Sequence, residues 1–104
     1  VLFEKIDPYS PASTSKKIID IIREDIKFTG LLVSDDISMS ALPGDLTKRT
    51  TNLVKAGGDV ILHCNGQLSE MKEIISSGVI PNTLTLSRIA SVIEERKKIQ
   101  HNTV

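Results

Sequence analysis

The chain has 104 residues, of which 39% are hydrophobic and 25% charged, and this is the composition of one small globular domain. Its 13 basic and 13 acidic residues balance, and only 3% of the residues are aromatic, which argues against a nucleic-acid-binding surface. The single cysteine, Cys64, cannot form an internal disulfide, and no segment is apolar enough to cross a membrane. We therefore expect a cytoplasmic protein that binds neither nucleic acid nor membrane.

The first 26 residues are predicted to contain a strand end, a loop and a helix. Val1-Leu2-Phe3 is an apolar triplet typical of the end of a strand that began earlier, and Asp7-Pro8-Tyr9-Ser10-Pro11 predicts a loop. Ser15 is a good N-cap residue, and isoleucines at helical spacing predict an amphipathic helix over about residues 16–26. The apolar stripe of this helix is expected to cover a sheet, with Arg23 on its polar face.

A short apolar run followed by two acidic residues is the most informative part of the chain. Leu31-Leu32-Val33 is typical of a parallel strand that is buried on both faces, and Asp35 and Asp36 are predicted to lie in the loop after it. A carboxylate that is even partly buried must be paired, hydrogen-bonded or protonated. An acidic pair at the carboxyl end of a parallel strand therefore predicts a functional site.

The second half of the chain is predicted to contain three helices and one more strand. The helices span about residues 46–56, 68–76 and 84–100, and the strand spans Asp59–Cys64. In the second of these helices Met71, Ile74 and Ile75 are predicted to face inward. The last helix is followed by a polar tail over residues 101–104, and its apolar face consists of Leu86, Ile89, Ala90, Val92, Ile93 and Ile99.

Strands that alternate with helices predict right-handed crossovers and a parallel sheet of the α/β class. Periodicity alone does not distinguish a doubly wound open sheet from part of a (β/α)₈ barrel. In both architectures the functional residues lie in the loops after the carboxyl ends of the strands. Asp35, Asp36, Cys64 and Asn65 all fall at such positions.

Several spaced motifs resemble family 3 of the glycoside hydrolases. They are Pro11-Ala12, residues 22–30, Ser34-Asp35-Asp36 with Met39 three residues later, and Ala56-Gly57-Gly58-Asp59 before an apolar strand. Within this family they are similar to the bacterial β-N-acetylhexosaminidase branch, over about residues 11–65 and more weakly in the last helix. The resemblance implies that residues 1–104 are the C-terminal fragment of the family's catalytic (β/α)₈ TIM-type barrel. This barrel is incomplete, because a whole one needs about 250 residues.

The same resemblance implies a role for Asp35. The family's catalytic nucleophile is the aspartate directly after the serine of this motif, and it forms a covalent glycosyl-enzyme that water hydrolyses with net retention. Asp36 is expected to be structural, because successive strand residues point to opposite sides and the two carboxylates would not share one pocket. From the residues alone, an N-cap beside a surface charge explains the pair as well. Met39 fits a core position better than a sugar-pocket wall.

The other residues with chemical potential assemble no recognisable site. His63, Cys64 and His101 lack the spacing of metal ligands, so we expect an ordinary strand histidine at position 63 and a small buried hydrophobe at position 64. Asn65 fits a turn as well as a pocket mouth. No metal or cofactor is predicted. In the hexosaminidase branch the proton donor is a histidine assisted by an aspartate upstream, and neither His63 nor His101 stands in that context.

The leading interpretation is retaining hydrolysis of terminal β-linked N-acetylhexosamine, such as N-acetylglucosamine, in peptidoglycan-fragment recycling. The expected partners are cell-wall saccharides that contain N-acetylglucosamine and a companion N-terminal polypeptide. The fragment alone is expected to be inactive for lack of the acid/base loop, and to expose sheet edges and apolar helix faces. Two alternatives stay open. One is an inactive gene remnant or binding fragment, and the other is a small signalling domain in which Asp35 or Asp36 binds Mg²⁺ or accepts phosphate.

Overall fold

The computed structural model describes residues 1–39, 42 and 44–102. Residues 101 and 102 are described by their backbone only. A 3₁₀ turn over Ala12–Thr14 precedes α1 (Lys16–Asp20), which continues as a π-helical turn over Ile21–Asp25. The remaining elements are β1 (Val33–Asp36), α2 (Leu46–Ala56), β2 (Val60–Leu62), α3 (Leu68–Ser76) and α4 (Thr85–Asn102). The two strands pair in parallel, so the predicted α/β class is confirmed for the described residues.

The start of the chain is not a strand, contrary to the prediction for Val1–Phe3. The carbonyl of Phe3 accepts hydrogen bonds from the N–H groups of Ile6 and Asp7 at 3.0 and 2.9 Å, which forms a turn. The carbonyl of Val1 accepts from Ala12 N–H at 2.8 Å. These bonds occupy backbone groups that a strand would offer to a neighbouring strand.

The N-terminus of α1 is fixed by a buried hydrogen-bonded cap. Ser15 is fully buried, and its Oγ accepts from Ile18 N–H at 3.2 Å and donates to Asp7 Oδ2 at 2.7 Å. The other oxygen of Asp7 accepts from Tyr9 and Ser10 N–H at 3.0 and 3.1 Å. The Ser15 hydroxyl, followed by these backbone donors, lowers the pKa of Asp7. The predicted cap is therefore confirmed, and it also anchors the loop before the helix.

Replacement of Ser15 with alanine is expected to lower the free energy of unfolding by about 2 kcal/mol, because it removes a buried cap and leaves Ile18 N–H without its acceptor. Urea unfolding followed by circular dichroism measures the change. Ser91→Ala is the matched control, since Ser91 is exposed on α4 and its hydroxyl donates only to the Ser87 carbonyl. Equal midpoints for the two variants would contradict the importance of the cap.

The parallel pairing places the acidic residues inside a strand and not in a loop after it. Val33 pairs with Val60 and Asp36 pairs with Leu62, with an irregularity between these positions. At the irregularity Leu62 N–H donates to Ser34 Oγ at 2.9 Å, so a side chain takes the place of a backbone acceptor. Beyond it, Ile37 N–H donates to the Leu62 carbonyl at 2.8 Å. Strand pairing therefore continues through Asp35 and Asp36, past the end predicted at Val33.

One face of the sheet is covered by helices and the other is open. On the covered face Ile37, Leu42 and Leu46 form the core, and Ile61 and Ile74 pack against it. On the open side Val33 is 54% exposed, so the expectation that its strand is buried on both faces is wrong. A single layer of helices packed on two strands can bury only one face.

Apolar helix faces are also exposed, as expected for this chain. Leu86 of α4 is 73% exposed, and Val92, Ile93 and Ile99 of the same helix are exposed as well. Ile75 of α3 is 82% exposed, so the prediction that it faces inward is wrong, although Met71 and Ile74 are partly buried. α4 itself continues to Asn102, two residues into the predicted tail. Among the helices of the described chain, none combines the length and the apolar character needed to cross a membrane.

Candidate active site at the carboxyl ends of the strands

The Asp35 side chain lies on the open side of the sheet. Exposure alternates along β1, with Val33 and Asp35 exposed and Ser34 and Asp36 partly buried, so the two carboxylates lie on opposite sides of the strand. The N–H of Asp35 donates to Ser13 Oγ at 3.0 Å, and its Oδ1 accepts from Asp36 N–H at 2.9 Å. The Asp35 backbone and one of its two carboxylate oxygens are therefore held in place by hydrogen bonds.

Asp36 joins the ends of the two strands. Its Oδ1 accepts from Ser38 N–H, Ser38 Oγ and Cys64 N–H at 3.0, 2.8 and 3.0 Å, and its Oδ2 accepts from Ser38 Oγ at 2.7 Å. The Ser38 hydroxyl is the largest cause of a lowered pKa at Asp36, and the two N–H groups act in the same direction against partial burial. The ionised carboxylate thus fixes the turn after β1 to the segment after β2.

Ser34 completes the fixation of this strand end. Its hydroxyl donates to the Asp35 carbonyl at 2.7 Å and accepts from Leu62 N–H at 2.9 Å. The three residues of the Ser-Asp-Asp motif consequently have different tasks. Ser34 and Asp36 bind the neighbouring strand, and Asp35 presents a carboxylate to the space on the open side. Such an arrangement suits a reaction in which a carboxylate must approach a substrate with its backbone immobile.

The other predicted candidates contribute no second reactive group beside Asp35. Cys64 is exposed, which corrects its predicted burial, and local desolvation together with the Asp36 and Asp35 carboxylates raises the pKa of its thiol. A thiol that stays protonated is a poor nucleophile. Asn65 is a turn residue whose Oδ1 accepts from Gln67 N–H at 2.9 Å. Met39 is partly buried, and the side chain of His101 lies outside the described residues.

His63 is buried beneath this site, toward α3. Only 7% of its side chain is exposed, and its Nε2 lies 3.5 Å from Glu70 Oε1. Within residues 1–39, 42 and 44–100, no three His, Cys, Asp or Glu side chains come together as a metal site would require.

Sequence reasoning missed a buried ionic cluster at the opposite end of the sheet. The Asp59 side chain has no exposed surface, and it accepts from Arg23 Nη2 and Arg88 Nη1, each at 2.8 Å. It also accepts from Thr85 Oγ1 at 2.7 Å and from Leu32 N–H at 3.0 Å. Arg23 therefore lies against the sheet, which corrects its predicted place on the polar face. Asp59 precedes β2 whereas Asp35 lies near the carboxyl end of β1, so the cluster is at the other end of the sheet, and we interpret it as structural.

Comparison with known proteins identifies the family. The protein-family model described as "Glycosyl hydrolase family 3 N terminal domain" matches residues 1–94, and the chain belongs to this family. A "Beta-hexosaminidase" of Idiomarina loihiensis is 29% identical over 110 residues, which cover 96% of this chain and 33% of the relative. Proteins of the same name from Nitrosomonas eutropha and Pseudomonas aeruginosa are 36% and 32% identical, over 62% and 66% of this chain.

The chain spans about a third of the first of these relatives, and the matched segments are 19% and 21% of the other two. The resemblance to family 3 and to its bacterial hexosaminidases, inferred from the motifs, is confirmed.

Proposed function

We propose that this chain is the C-terminal part of the (β/α)₈ barrel of a retaining β-N-acetylhexosaminidase, with Asp35 as the nucleophile. The observation that carries the proposal is the position of Asp35 at the carboxyl end of a parallel strand, exposed on the open side of the sheet and held by Ser13 and Asp36. In parallel α/β enzymes this edge of the sheet carries the reacting groups. Membership of family 3 and relatives named "Beta-hexosaminidase" support glycoside hydrolysis.

Different roles are proposed for the two carboxylate oxygens of Asp35. Asp36 N–H donates to Oδ1, which leaves Oδ2 as the attacking atom. Oδ2 forms a bond to the anomeric carbon of the sugar as the bond to the leaving-group oxygen breaks, and a general acid protonates that oxygen. Water, which loses a proton to the conjugate base of that general acid, then attacks the same carbon, releases the Asp35 carboxylate and gives a sugar of retained configuration.

The general acid is proposed to come from outside this chain. His63 is only 7% exposed and lies 3.5 Å from Glu70 of α3, so we propose that its imidazole does not reach a leaving group on the open side of the sheet. A missing general acid lowers the rate by about 10²- to 10⁴-fold, and we propose that the isolated chain is inactive for this reason. A companion N-terminal polypeptide would supply this group and cover the exposed Val33 and Leu62.

The proposed substrates are cell-wall saccharides with terminal β-linked N-acetylglucosamine, in the recycling of peptidoglycan fragments. A cytoplasmic location accords with the lone, exposed Cys64, because such a thiol persists in a reducing compartment.

The test is hydrolysis of 4-nitrophenyl N-acetyl-β-glucosaminide by the chain alone and by the chain mixed with the remaining part of the barrel. Size-exclusion chromatography first establishes that the two polypeptides associate. We expect hydrolysis only in the mixture, with the β-anomer of N-acetylglucosamine appearing first in the ¹H NMR spectrum. An associated but inactive mixture would favour an inactive remnant, and an α-anomer as first product would exclude the retaining mechanism.

A further inference from the structure

Asp35 lies at the irregularity of β1, and this irregularity is a bulge. Between the two paired positions β1 advances three residues, from Val33 to Asp36, while β2 advances two, from Val60 to Leu62. This part of β1 therefore contains one residue more than β2 can pair, and the extra residue of a bulge is left outside the regular ladder. Bulges are frequent next to active sites, where they change the direction of a side chain.

Two hydroxyl groups replace the missing backbone partners of Asp35. Its carbonyl accepts from Ser34 Oγ at 2.7 Å, and the same Oγ accepts from Leu62 N–H, so this hydroxyl is inserted between the two strands. Its N–H donates to Ser13 Oγ at 3.0 Å. Ser34 belongs to β1 itself, whereas Ser13 lies 22 residues before Asp35 in the chain. Ser13 is therefore the contact that joins the bulged residue to a different part of the fold.

The position of Ser13 is fixed by the turn in which it lies. This residue is in the middle of the 3₁₀ turn Ala12–Thr14, whose Ala12 carbonyl accepts from Ser15 N–H at 3.3 Å. Ser15 is fully buried as the N-cap of α1. The turn thus continues directly into a buried part of the protein, and Ser13 holds Asp35 at a defined place relative to α1.

We propose that Ser13 is a positioning residue for the nucleophile, an inference that rests on the proposed function. The N–H and the side chain of Asp35 share one Cα atom, so the bond to Ser13 limits the backbone rotation that would turn the carboxylate away from the anomeric carbon. The other hydrogen bonds that the described residues make to Asp35 come from its neighbours Ser34 and Asp36, which move together with it. A misplacement of about 1 Å lowers a rate by up to about 100-fold.

Three substitutions at position 13 separate the hydrogen-bond acceptor from the space that the side chain fills. Ser13→Ala removes the acceptor, and Ser13→Cys keeps a side chain of similar shape with a sulfur that accepts weakly. Ser13→Thr keeps the hydroxyl, and its methyl group has room because Ser13 lines a cleft of about 150 Å³ with Ile18 and Val33. Thr14→Ala is the matched control, since the Thr14 hydroxyl belongs to the same turn and donates to the Pro11 carbonyl at 3.4 Å.

The first experiment needs no enzymatic activity. Amide hydrogen exchange followed by ¹H–¹⁵N NMR measures the protection of Asp35 N–H in the chain, and Ile18 N–H, which donates to Ser15 Oγ, reports whether α1 remains folded. We expect exchange at Asp35 to accelerate about 10-fold in Ser13→Ala and Ser13→Cys, with Ile18 unchanged, and to match the wild type in Ser13→Thr and Thr14→Ala.

Three results of this experiment would overturn the inference. The first is equal exchange at Asp35 in the wild type and Ser13→Ala. The second is a similar acceleration in Ser13→Thr, because that variant keeps the hydroxyl. The third is acceleration at Ile18 by the same factor as at Asp35 in both Ser13→Ala and Ser13→Cys, which would mean that the substitution opens the whole turn and that Ser13 has a structural role only.

The second experiment uses the enzyme assembled with the remaining part of the barrel. Ser13→Ala and Ser13→Cys should lower kcat roughly 10-fold with KM nearly unchanged, and Ser13→Thr should restore kcat. In Asp35→Gly with added azide as the nucleophile, Ser13→Ala should have no further effect, because no carboxylate is left to position. A further decrease of similar size there, or an equal loss of kcat in Thr14→Ala, would show a structural role and overturn the inference.

The proposed function and the role of Ser13 fail separately. Absence of wild-type hydrolysis in the assembled enzyme would refute the proposed function and with it the catalytic consequence of Ser13, while the exchange experiment still decides whether Ser13 fixes Asp35. Normal wild-type hydrolysis together with an unchanged kcat in Ser13→Ala would refute the role of Ser13 alone.

Discussion

Replacement of Asp35 with glycine is expected to lower kcat of the assembled enzyme by roughly 10⁴- to 10⁶-fold, because the covalent intermediate forms on its Oδ2 and no neighbouring carboxylate can replace it. Asp36 is tied to Ser38 and Cys64 on the other side of β1 and cannot turn toward the substrate without breaking those bonds. Steady-state hydrolysis of the chromogenic glycoside measures the loss.

Two controls separate a lost nucleophile from a damaged site. Azide should enter the space left by the carboxylate in Asp35→Gly, attack the anomeric carbon from that side and yield the α-glycosyl azide. A β-azide would instead indicate that the acetamido group of the substrate attacks, as in substrate-assisted glycosidases. Asp36→Asn keeps the size of its side chain and should lose far less activity than Asp35→Gly. Equal losses would contradict the division of roles within the motif.

The α/β class was predictable because each helix and strand carries a local apolar pattern. The extent of burial was not predictable from the same pattern. Leu31-Leu32-Val33 is apolar in the way of a strand covered on both faces, yet Val33 lies on an open face. A sequence segment specifies which residues favour burial, whereas their actual burial depends on which other strands and helices are present.

Features of the site that depend on neighbouring residues could be predicted from the sequence, whereas contacts between distant residues could not. The opposite directions of Asp35 and Asp36 follow from the period of a strand and needed no tertiary knowledge. The partners of Asp59 are different, since Arg23 and Arg88 lie 36 and 29 residues away along the chain. In the sequence each arginine occupies an ordinary polar position of an amphipathic helix. Only the fold reveals that both converge on one buried carboxylate.

This convergence makes Asp59→Asn the substitution with the largest expected effect on stability. The asparagine leaves two arginines, each only 17% exposed, facing a neutral amide, and it cannot accept from Arg23, Arg88, Thr85 and Leu32 together. Removal of one partner from a buried ion pair costs about 3–5 kcal/mol. Arg23 also donates to the carbonyls of Phe28 and Gly30, which compensates part of its loss. We therefore expect a decrease of about 3 kcal/mol, or roughly 15 °C in Tm for a domain of this size.

The lowered pKa of Asp59 predicts the direction in which stability changes with pH. Burial raises the pKa of Asp59, but the hydrogen bonds from Leu32, Thr85 and Arg88 outweigh it, and the net pKa is lowered. A carboxyl group whose pKa is lower in the folded state than in the unfolded state stabilises the folded protein at pH values above its unfolded-state pKa of about 3.9. This stabilisation is lost as the pH falls through the folded-state pKa. Acidification from pH 7 to pH 3 should thus destabilise the wild type more than Asp59→Asn.

The variant should retain some acid sensitivity, because Asp7 and Asp36 also have lowered pKa values. Asp20→Asn is the matched control, since its ion pair with Lys16 lies at the surface and contributes little. Chemical unfolding at several pH values compares the three proteins. If the free energy of unfolding changed with pH equally in the wild type and in Asp59→Asn, the two arginines would stabilise the amino end of β2 without the charge of Asp59. In that case the cluster would act through its hydrogen bonds alone.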